Sequence, residues 1–317
     1  MMDVPRHTGR RLAETEDQLI TRMLGHPTFP APLRGLWYSP ALPGPPVPQP
    51  SRFRDATNTG LARLGITETD LAEYTGPGGY DRGGPYLIED QVIGVDIRLY
   101  NSVQMTIRRC KILAHIDVDS VDAALTLEDS HVDAGPWSNA AIGFQNLTIL
   151  RCNVQGGITA VNGSYNVVVQ DSYLHGQVIS AAGSDHAGGF LCSGGGNIEL
   201  RGSTIWCSVQ DNGHGGGPSN NLNLFGDLGP LRNIRVKGCY FPATAGGYSV
   251  SLGHNPGKPY GDNPAGIVFV DNVLGRDLQT GRGGAYGTVT SFLASEPSNL
   301  YAGNVWADNG QPVPVNT

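Results

Sequence analysis

The sequence predicts an all-β protein folded as a single-stranded, right-handed parallel β-helix of about 8–10 coils. Three observations predict this fold: a short phrase recurs eight times, apolar residues alternate inside each phrase, and 45 of the 317 residues are glycine. Period-2 alternation is typical of strands, and a short repeat period is typical of a solenoid. Glycine suits a chain that turns a corner every few residues.

The spacing of the phrases indicates which part of each coil is constant. Aligned on their small residue, they follow one another at steps of 20, 22, 20, 31, 36, 33 and 32 residues. Because the later coils keep the phrase and add about ten residues, these extra residues must leave the coil as loops, where function is expected. The phrases are MTIRRCKI (105–112), LTLEDSHV (125–132), LTILRCNV (147–154), VVVQDSYL (167–174), IELRGSTI (198–205), IRVKGCYF (234–241), IVFVDNVL (267–274) and NLYAGNVW (299–306).

The small position of the phrase, called the slot, is predicted to face inward between two apolar positions. It is occupied in turn by Cys110, Ser130, Cys152, Ser172, Ser203, Cys239, Asn272 and Asn304. Three of the five cysteines therefore fill the core. Cys110 and Cys152 would lie two coils apart, at about 4.8 Å per coil, which is too far for a disulfide. We expect five free thiols.

The residue before the slot carries alternating charge on four successive coils, Arg109, Asp129, Arg151 and Asp171. Opposite charges on neighbouring coils favour this pairing over one shifted by a coil. We expect these residues to stabilise the solenoid rather than to form a site.

Residues 1–50 differ from the repeat. A capping-box pattern at 15–18 predicts a short helix, and a proline-rich extended segment follows it. The segment is either a disordered tail or, as we expect, an arm that binds a neighbouring chain. Its large apolar residues are Phe29, Leu36, Trp37 and Tyr38. We expect residues 51–90 to form an N-terminal cap and lead-in, 91–306 the β-helix and 307–317 a C-terminal tail.

Composition argues against several classes of partner. A net charge of −7 and a pI near 5.6 argue against nucleic-acid binding, which needs a basic surface. No apolar run is long enough to span a membrane, and the first residues lack the apolar segment of a conventional signal peptide. No HExxH motif or regular array of carboxylates is present, so we expect no metal and no other cofactor.

Histidines and their neighbours in the longer coils are the candidate site residues. A histidine beside a carboxylate can act as a general base, and a lysine can stabilise developing negative charge. If the added loops leave on one lateral face, these residues form one groove; alternatively, they only hydrogen-bond turns. The candidate catalytic residues are His186, His175 and Lys258, and the candidate groove residues are Asp185, His214, His254, Tyr260 and Asp262.

Over about residues 70–310 the chain resembles a group of right-handed parallel β-helix proteins of actinobacteria and minor tail proteins of their phages. The resemblance rests on several motifs in the same order. They are DLAEYTGPGG, GFQNLTILRCNVQGGITAV, VVVQDSYLHGQ, HAGGF, PLRNIRVKGCYF, GGYSVSLG followed by GKPYGD, IVFVDNVLGR and GNVWADNG. Within them, the residues that match the motifs of the group are His175, His186, Gly189, Lys258, Pro259 and Tyr260.

The wider pectate-lyase-like superfamily includes polysaccharide lyases and phage tailspikes, so the resemblance implies a carbohydrate-facing lateral groove. The calcium-binding aspartates and catalytic arginine of pectate lyases have no clear counterpart in this chain. We therefore expect a minor tail or tailspike-like protein of the virion rather than an enzyme. It would be a homotrimer that binds other tail proteins through residues 1–50 and a polysaccharide of the host envelope through the β-helix. The alternative is a lyase or glycoside hydrolase that leaves the cell by a non-standard route.

Overall fold

The computed structural model describes residues 53–315, nearly all of them in strands and the turns between strands. Two short helical segments precede the first strand: α1 (Gly60–Leu64) and a 3-10 helix (Glu68–Asp70). The predicted assembly residues Phe29, Leu36, Trp37 and Tyr38 lie outside the described part of the chain. The strands are numbered in chain order and form three parallel sheets, A, B and C.

Sheet A contains ten strands that stack in sequence order. They are β1 (Ala72–Glu73), β4 (Gln91–Ile93), β7 (Lys111–Ile112), β10 (His131–Asp133), β13 (Asn153–Gln155), β16 (Tyr173–Leu174), β19 (Thr204–Ile205), β23 (Tyr240–Phe241), β26 (Val273–Leu274) and β29 (Val305–Trp306).

Sheet B also contains ten strands, nine of which stack in sequence order. These nine are β2 (Gly79–Tyr80), β5 (Ile97–Leu99), β8 (Ile116–Val118), β11 (Ala140–Phe144), β14 (Thr159–Gly163), β17 (His186–Cys192), β21 (Leu222–Leu224), β24 (Val250–Leu252) and β27 (Val289–Thr290). The tenth strand, β20 (Gly217–Pro218), pairs with the first residues of β17.

Sheet C contains nine strands, again in sequence order along the stack. They are β3 (Tyr86–Glu89), β6 (Gln104–Arg108), β9 (Ala124–Glu128), β12 (Leu147–Leu150), β15 (Tyr165–Gln170), β18 (Gly195–Arg201), β22 (Leu231–Lys237), β25 (Ala265–Val270) and β28 (Leu300–Ala302).

The chain visits sheets A, B and C in turn, and every strand pair between successive coils is parallel. This order confirms the predicted parallel β-helix. Nine complete coils are followed by the final strand of sheet A. Coil 1 consists of β1, β2 and β3, so the solenoid begins inside the segment that we expected to be a cap and lead-in.

Aliphatic residues fill the interior because the period-2 alternation points every second side chain of a strand inward. One inward row of sheet B runs through Ile97, Ile116, Ile142, Val161 and Phe190, which are in register and have no solvent exposure. Rows of this kind run along all three sheets and merge into one core. Burial of such rows supplies the main favourable term in folding.

The slot residues form a hydrogen-bonded row inside the corner between sheets C and A. The backbone N–H of Cys110 donates to Ser130 Oγ at 3.1 Å, and that of Cys152 donates to Ser172 Oγ at 3.0 Å. Near the other end, the N–H of Cys239 donates to Asn272 Oδ1 at 2.9 Å. All five cysteines of the chain are buried and free, which confirms the prediction of free thiols. Burial raises the pKa of Cys239 to about 12.

The residue before the slot has a backbone role, and where it is charged it has an electrostatic role as well. In all nine corners between sheets C and A this residue has a φ between 46° and 67°, in the left-handed region. The predicted ion pairs are present in part: Arg151 contacts Asp129 at 2.8 Å, whereas Arg109 contacts Asp90 of the preceding coil at 2.7 Å. The nine residues are Asp90, Arg109, Asp129, Arg151, Asp171, Gly202, Gly238, Asp271 and Gly303.

A second row, of asparagines, marks the corner between sheets B and C. Asn166 donates to Asn146 Oδ1 at 2.8 Å, and Asn233 donates to Asn197 Oδ1 at 2.8 Å. Each of these asparagines also has a positive φ, which asparagine tolerates better than most residues.

Residues 53–70 lie along the outer face of sheet A, from coil 8 back towards coil 1. We call this segment the strap. Its contacts, in chain order, are Phe53 stacked on Tyr240 at 3.8 Å, Arg54 with Asp171 at 2.7 Å, Gly60 N–H with Arg151 O at 2.7 Å, Arg63 with Asp129 at 2.9 Å, and Glu68 with Lys111. The strap therefore packs along the outer face of sheet A.

Candidate functional site

The three corners of the solenoid differ in length, and this difference locates the candidate site. Between sheets C and A the strands are separated by one or two residues in every coil. From coil 6 onward, long loops join sheet A to sheet B and, in several coils, sheet B to sheet C. Sheet B is therefore the sheet with long loops at both of its edges, and its outer face is the candidate functional face.

The loops from sheet A to sheet B carry one half of the predicted site. His186 is the exposed first residue of β17, and its neighbour Asp185 accepts a backbone hydrogen bond from Gly217 N–H at 2.9 Å. His214 is exposed at the tip of the next loop. The side chain of Asn212 ties the two loops together, since its amide donates to the carbonyl oxygens of Ser180 and Gly183, both at 2.8 Å.

His175 begins the first of these loops but is built into the outer face of sheet A. Its ring stacks on Tyr173 with centroids 3.8 Å apart, and its Nε2 contacts Asn153 Oδ1 at 2.7 Å. Burial lowers the pKa of His175 to about 4, with the nearby His131 as a further cause. The imidazole is therefore uncharged at neutral pH. One of its nitrogens contacts Asn153, and one face of its ring packs on Tyr173.

The loops from sheet B to sheet C carry the other half. Lys258 Nζ contacts Asp227 Oδ1 at 2.7 Å and lies 5.1 Å from the centroid of the Phe225 ring. Tyr260 is half exposed, and its backbone N–H donates to Gly226 O at 2.8 Å. His254 is bound through its backbone to Ser291 O at 2.8 Å, and Asp262 is exposed.

These loops leave the solenoid at two different edges of sheet B. His175, Asp185, His186 and His214 lie at the edge of sheet B next to sheet A, whereas His254, Lys258, Tyr260 and Asp262 lie at the edge next to sheet C. The strands of sheet B separate the two groups. The Lys258 ammonium, which we expected to stabilise charge beside a catalytic histidine, is instead paired with Asp227 on its own side.

A cluster of ionisable residues that sequence analysis missed lies on the outer face of sheet B in coils 2–4. His115 lies between two carboxylates: its Nδ1 is 2.9 Å from Asp96 Oδ1, and its Nε2 is 3.4 Å from Asp117 Oδ2. Arg98 NH2 approaches the same Asp117 oxygen at 3.9 Å. The Trp137 ring stacks on the imidazole, with centroids 4.1 Å apart and planes within 5°. We call these five residues the His115 cluster.

Asp117 has features of a group that can exchange a proton. Burial raises the pKa of Asp117 although His115 and Arg98 act in the opposite direction. Its Oδ1 is buried without a hydrogen-bond partner, and Gly143, the residue in register on the next coil, has no side chain that could supply one. A carboxyl group with a raised pKa, close to a histidine, is the kind of group that active sites use as an acid.

The sequence does contain a signal for this cluster. The strand segment HIDVD (115–119) places ionisable residues at alternate positions, so that three of them share one face while Ile116 and Val118 face the core. A strand whose outward positions are all ionisable is unusual for a solenoid with few charges. Trp137 gives no such signal, because it reaches His115 only through the loop of a later coil.

Within residues 53–315 no group of three or more histidines, cysteines, aspartates or glutamates is arranged to hold a metal ion. No helix in that range is long and apolar enough to cross a membrane. Comparisons with protein-family models, with curated proteins and with solved structures found no match.

Proposed function

We propose that this protein binds a polysaccharide of a host cell envelope through the outer face of sheet B, as a tailspike-like minor tail protein of a phage virion. The observation that carries the proposal is that sheet B has variable loops at both edges, whereas the corner between sheets C and A is constant. A rigid sheet with loops on two sides forms a long binding face, and loops tolerate the sequence changes that specificity requires.

The chemistry of this face suits a sugar polymer. Exposed polar and aromatic side chains, among them His186, His214 and Tyr260, border it at the two edges. Sugar hydroxyls need many hydrogen bonds, and sugar rings pack on aromatic side chains. The face is long because successive coils repeat at about 4.8 Å, so a chain of several sugars can contact several coils.

Binding is tested with envelope polysaccharides immobilised on a sensor surface and purified full-length protein in solution. Tyr260→Ala and His214→Ala, one at each edge of sheet B, are expected to weaken retention about fivefold or more. Leu300→Ala on sheet C is the control, because Leu300 is 49% exposed and Tyr260 is 50% exposed. Equal loss in all three variants, or no retention on any polysaccharide of a broad panel, would contradict the proposal.

The assembly part of the proposal has its own test. We propose a homotrimer in which residues 1–50 bind neighbouring chains and other tail proteins. Light scattering of the full-length protein should give three times the chain mass, and the protein should co-purify with virions. If the protein is a monomer and is absent from virions, the proposed role in a phage tail is contradicted, whereas the proposed glycan binding is not.

A second candidate function is cleavage of the bound polysaccharide by a lyase or glycoside hydrolase activity. The specific observation in its favour is the raised pKa of Asp117 on the proposed binding face. Release of reducing ends, abolished by Asp117→Asn while polysaccharide retention persists, would support it. Loss of cleavage in His186→Ala but not in Asp117→Asn would assign the reaction to the predicted histidine instead.

A further inference from the structure

The first coil of the solenoid departs from the others in what faces inward. Tyr80 of β2 is in register with Leu99, and Tyr86 of β3 is in register with Met105. Leu99 and Met105 are core residues with almost no exposure. Two apolar positions of the core are thus replaced by tyrosines in the first coil, which is the last of the stack among residues 53–315.

A third inward position at this end is also polar. The register of Val92 with Lys111 places Gln91 at the position that Cys110 occupies in the next coil, which is the slot. In later coils a slot oxygen such as Ser130 Oγ accepts a backbone N–H from the coil before. The side-chain oxygen of Gln91 is buried and has no partner. A buried amide oxygen without a partner is costly, so such an atom calls for a ligand or another explanation.

These residues border a cavity of about 490 Å³ at the coil 1 end of the described solenoid. The volume falls within the range of about 300–1,000 Å³ that is usual for small-molecule sites. The residues that define its walls are Tyr74, Tyr80, Tyr86, Arg82, Ile88 and Gln91. Three aromatic rings therefore line one small cavity, and the Tyr80 and Tyr86 rings lie 4.7 Å apart in an edge-to-face arrangement.

The phenolic hydroxyl groups of the cavity already donate their protons to protein atoms. Tyr74 donates its single phenolic proton to Pro77 O at 2.9 Å, so the hydrogen bond between Tyr80 and Tyr74 must be donated by Tyr80. Tyr86 donates to Arg82 O at 2.7 Å. All three phenolic protons are committed to protein acceptors, and burial raises the pKa of Tyr80, which keeps its proton in place. Gln91 Oε1, which is left without a partner, is an acceptor and calls for a ligand that donates a hydrogen bond.

The charges at the rim favour neither an anionic nor a cationic ligand. Arg82 and Asp81 are neighbours of opposite sign, and their side chains are 90% and 67% exposed. They balance each other and remain in solvent.

We propose that this cavity binds a neutral pyranose, either free or as the terminal residue of a saccharide chain. The apolar face of the sugar ring packs on the tyrosine rings, and a sugar hydroxyl donates to Gln91 Oε1. The site is at the end of the solenoid and uses none of the loops at the edges of sheet B. It therefore does not depend on the polysaccharide-binding function proposed for that face.

The test uses full-length protein and isothermal titration with a panel of neutral monosaccharides that includes glucose, galactose, mannose, arabinose and N-acetylglucosamine. At least one sugar should bind, and Gln91→Leu should weaken it about tenfold by removing the acceptor. Leucine suits an inward position, so the variant should fold, which thermal unfolding checks. Gln104→Leu is the matched control, since the Gln104 amide donates to Asp122 O at 3.0 Å on the outside of coil 2.

Three results would overturn the proposal. The first is that the wild-type protein binds no sugar of the panel at millimolar concentration. The second is that Gln91→Leu binds as well as wild type while Tyr260→Ala does not, which moves the sugar to sheet B. The third is that this end of the solenoid binds a second copy of the chain. Wild-type protein would then form a dimer in sedimentation experiments, and Leu87→Glu would abolish that dimer. Leu87 suits this test because it lies beside the cavity and is 55% exposed.

Discussion

The corner between sheets C and A is the same in nine coils, whereas the corners at the two edges of sheet B change from coil to coil. At the constant corner, one residue adopts a left-handed backbone conformation and the next fills the slot. At the edges of sheet B, the chain leaves the coil for as many as 14 residues between Leu274 and Val289. The repeated hydrogen bonds of the constant corner hold the coils in register, which leaves the other two corners free to vary.

The comparison also separates two roles for polar residues. At the constant corner, Ser130, Ser172 and Asn272 are fully buried and satisfy backbone N–H groups of the preceding coil. At the edges of sheet B, Asp185, His214 and Tyr260 use backbone atoms to fix their loops. The first group is expected to determine stability, and the second is expected to determine binding.

The largest effect is expected from Asn272→Ala at the constant corner. Asn272 Oδ1 accepts the N–H of Cys239 at 2.9 Å, and its amide donates to Val236 O at 3.1 Å and to Asn304 Oδ1 at 3.0 Å. Loss of these bonds in the core should lower the free energy of unfolding by about 3–5 kcal/mol, measured by urea titration. The control, Asn255→Ala in an exposed loop, should cost less than about 1 kcal/mol. Equal costs would contradict the distinction between the corners.

A pH-dependent effect is expected at His175, where the chain passes from sheet A into a loop. Its pKa is about 4 in the folded protein and about 6.5 in the unfolded chain. Because the unfolded chain binds the proton first, the contribution to stability is complete above pH 6.5 and is lost as the pH falls towards 4. The loss should be about 3 kcal/mol.

The measurement compares urea unfolding of wild type and His175→Gln at pH 7 and pH 4. Glutamine keeps a donor for Asn153 but does not titrate, so the variant should lose less stability than wild type on acidification. If the free energy of unfolding falls by the same amount in both proteins between pH 7 and pH 4, the titration of His175 does not contribute to stability.

A smaller effect is expected from Gly238→Val at the constant corner. Gly238 has a φ of 63°, and a side chain there would meet open space, because the nearest atom to an added Cβ is 4.0 Å away. Backbone strain alone should therefore cost about 2 kcal/mol, since a β-branched residue tolerates this conformation poorly. Gly238→Asn serves as the control and should recover most of the loss. A valine variant as stable as wild type would show that the corner tolerates another backbone conformation.

The smallest effect on stability is expected from His214→Ala at the edge of sheet B. The side chain is exposed, and the loop is fixed by the backbone N–H of His214, which donates to Asn212 Oδ1 at 2.8 Å. The free energy of unfolding should change by less than about 0.5 kcal/mol. A larger change, measured by the same urea titration, would mean that this loop contributes to the solenoid and is not free to vary.

The coils were predictable because each one repeats the same packing and the same hydrogen bonds. Slot residues such as Cys152 and Ser172 must be small, must follow a left-handed residue and must precede an inward apolar residue, so they recur at recognisable spacing. Coil 1 was not recognised because Gln91 stands at its slot and tyrosines stand at its inward positions. The phrase there, YLIEDQVI, lacks the small residue on which the others align.

The candidate site was predictable only as a set of loops. A longer spacing between two successive phrases shows that the coil between them has a longer loop. The spacing is the same whether that loop lies between sheets A and B or between sheets B and C. The positions of His186 and Lys258 in the sequence therefore could not reveal that sheet B lies between them. The His115 cluster was missed for a related reason, since Trp137 reaches His115 from a loop of the next coil.

The sequence by itself determined that the chain coils into a parallel β-helix, that its thiols lie free in the core and that the later coils carry added loops. These features follow from alternation and spacing, which are local properties of the chain. The tertiary structure decided which corner each loop leaves, that the strap covers sheet A, and which polar residues meet at the His115 cluster and in the cavity of coil 1. Those features depend on contacts between residues far apart in sequence, because stacking coils brings together side chains that no local pattern relates.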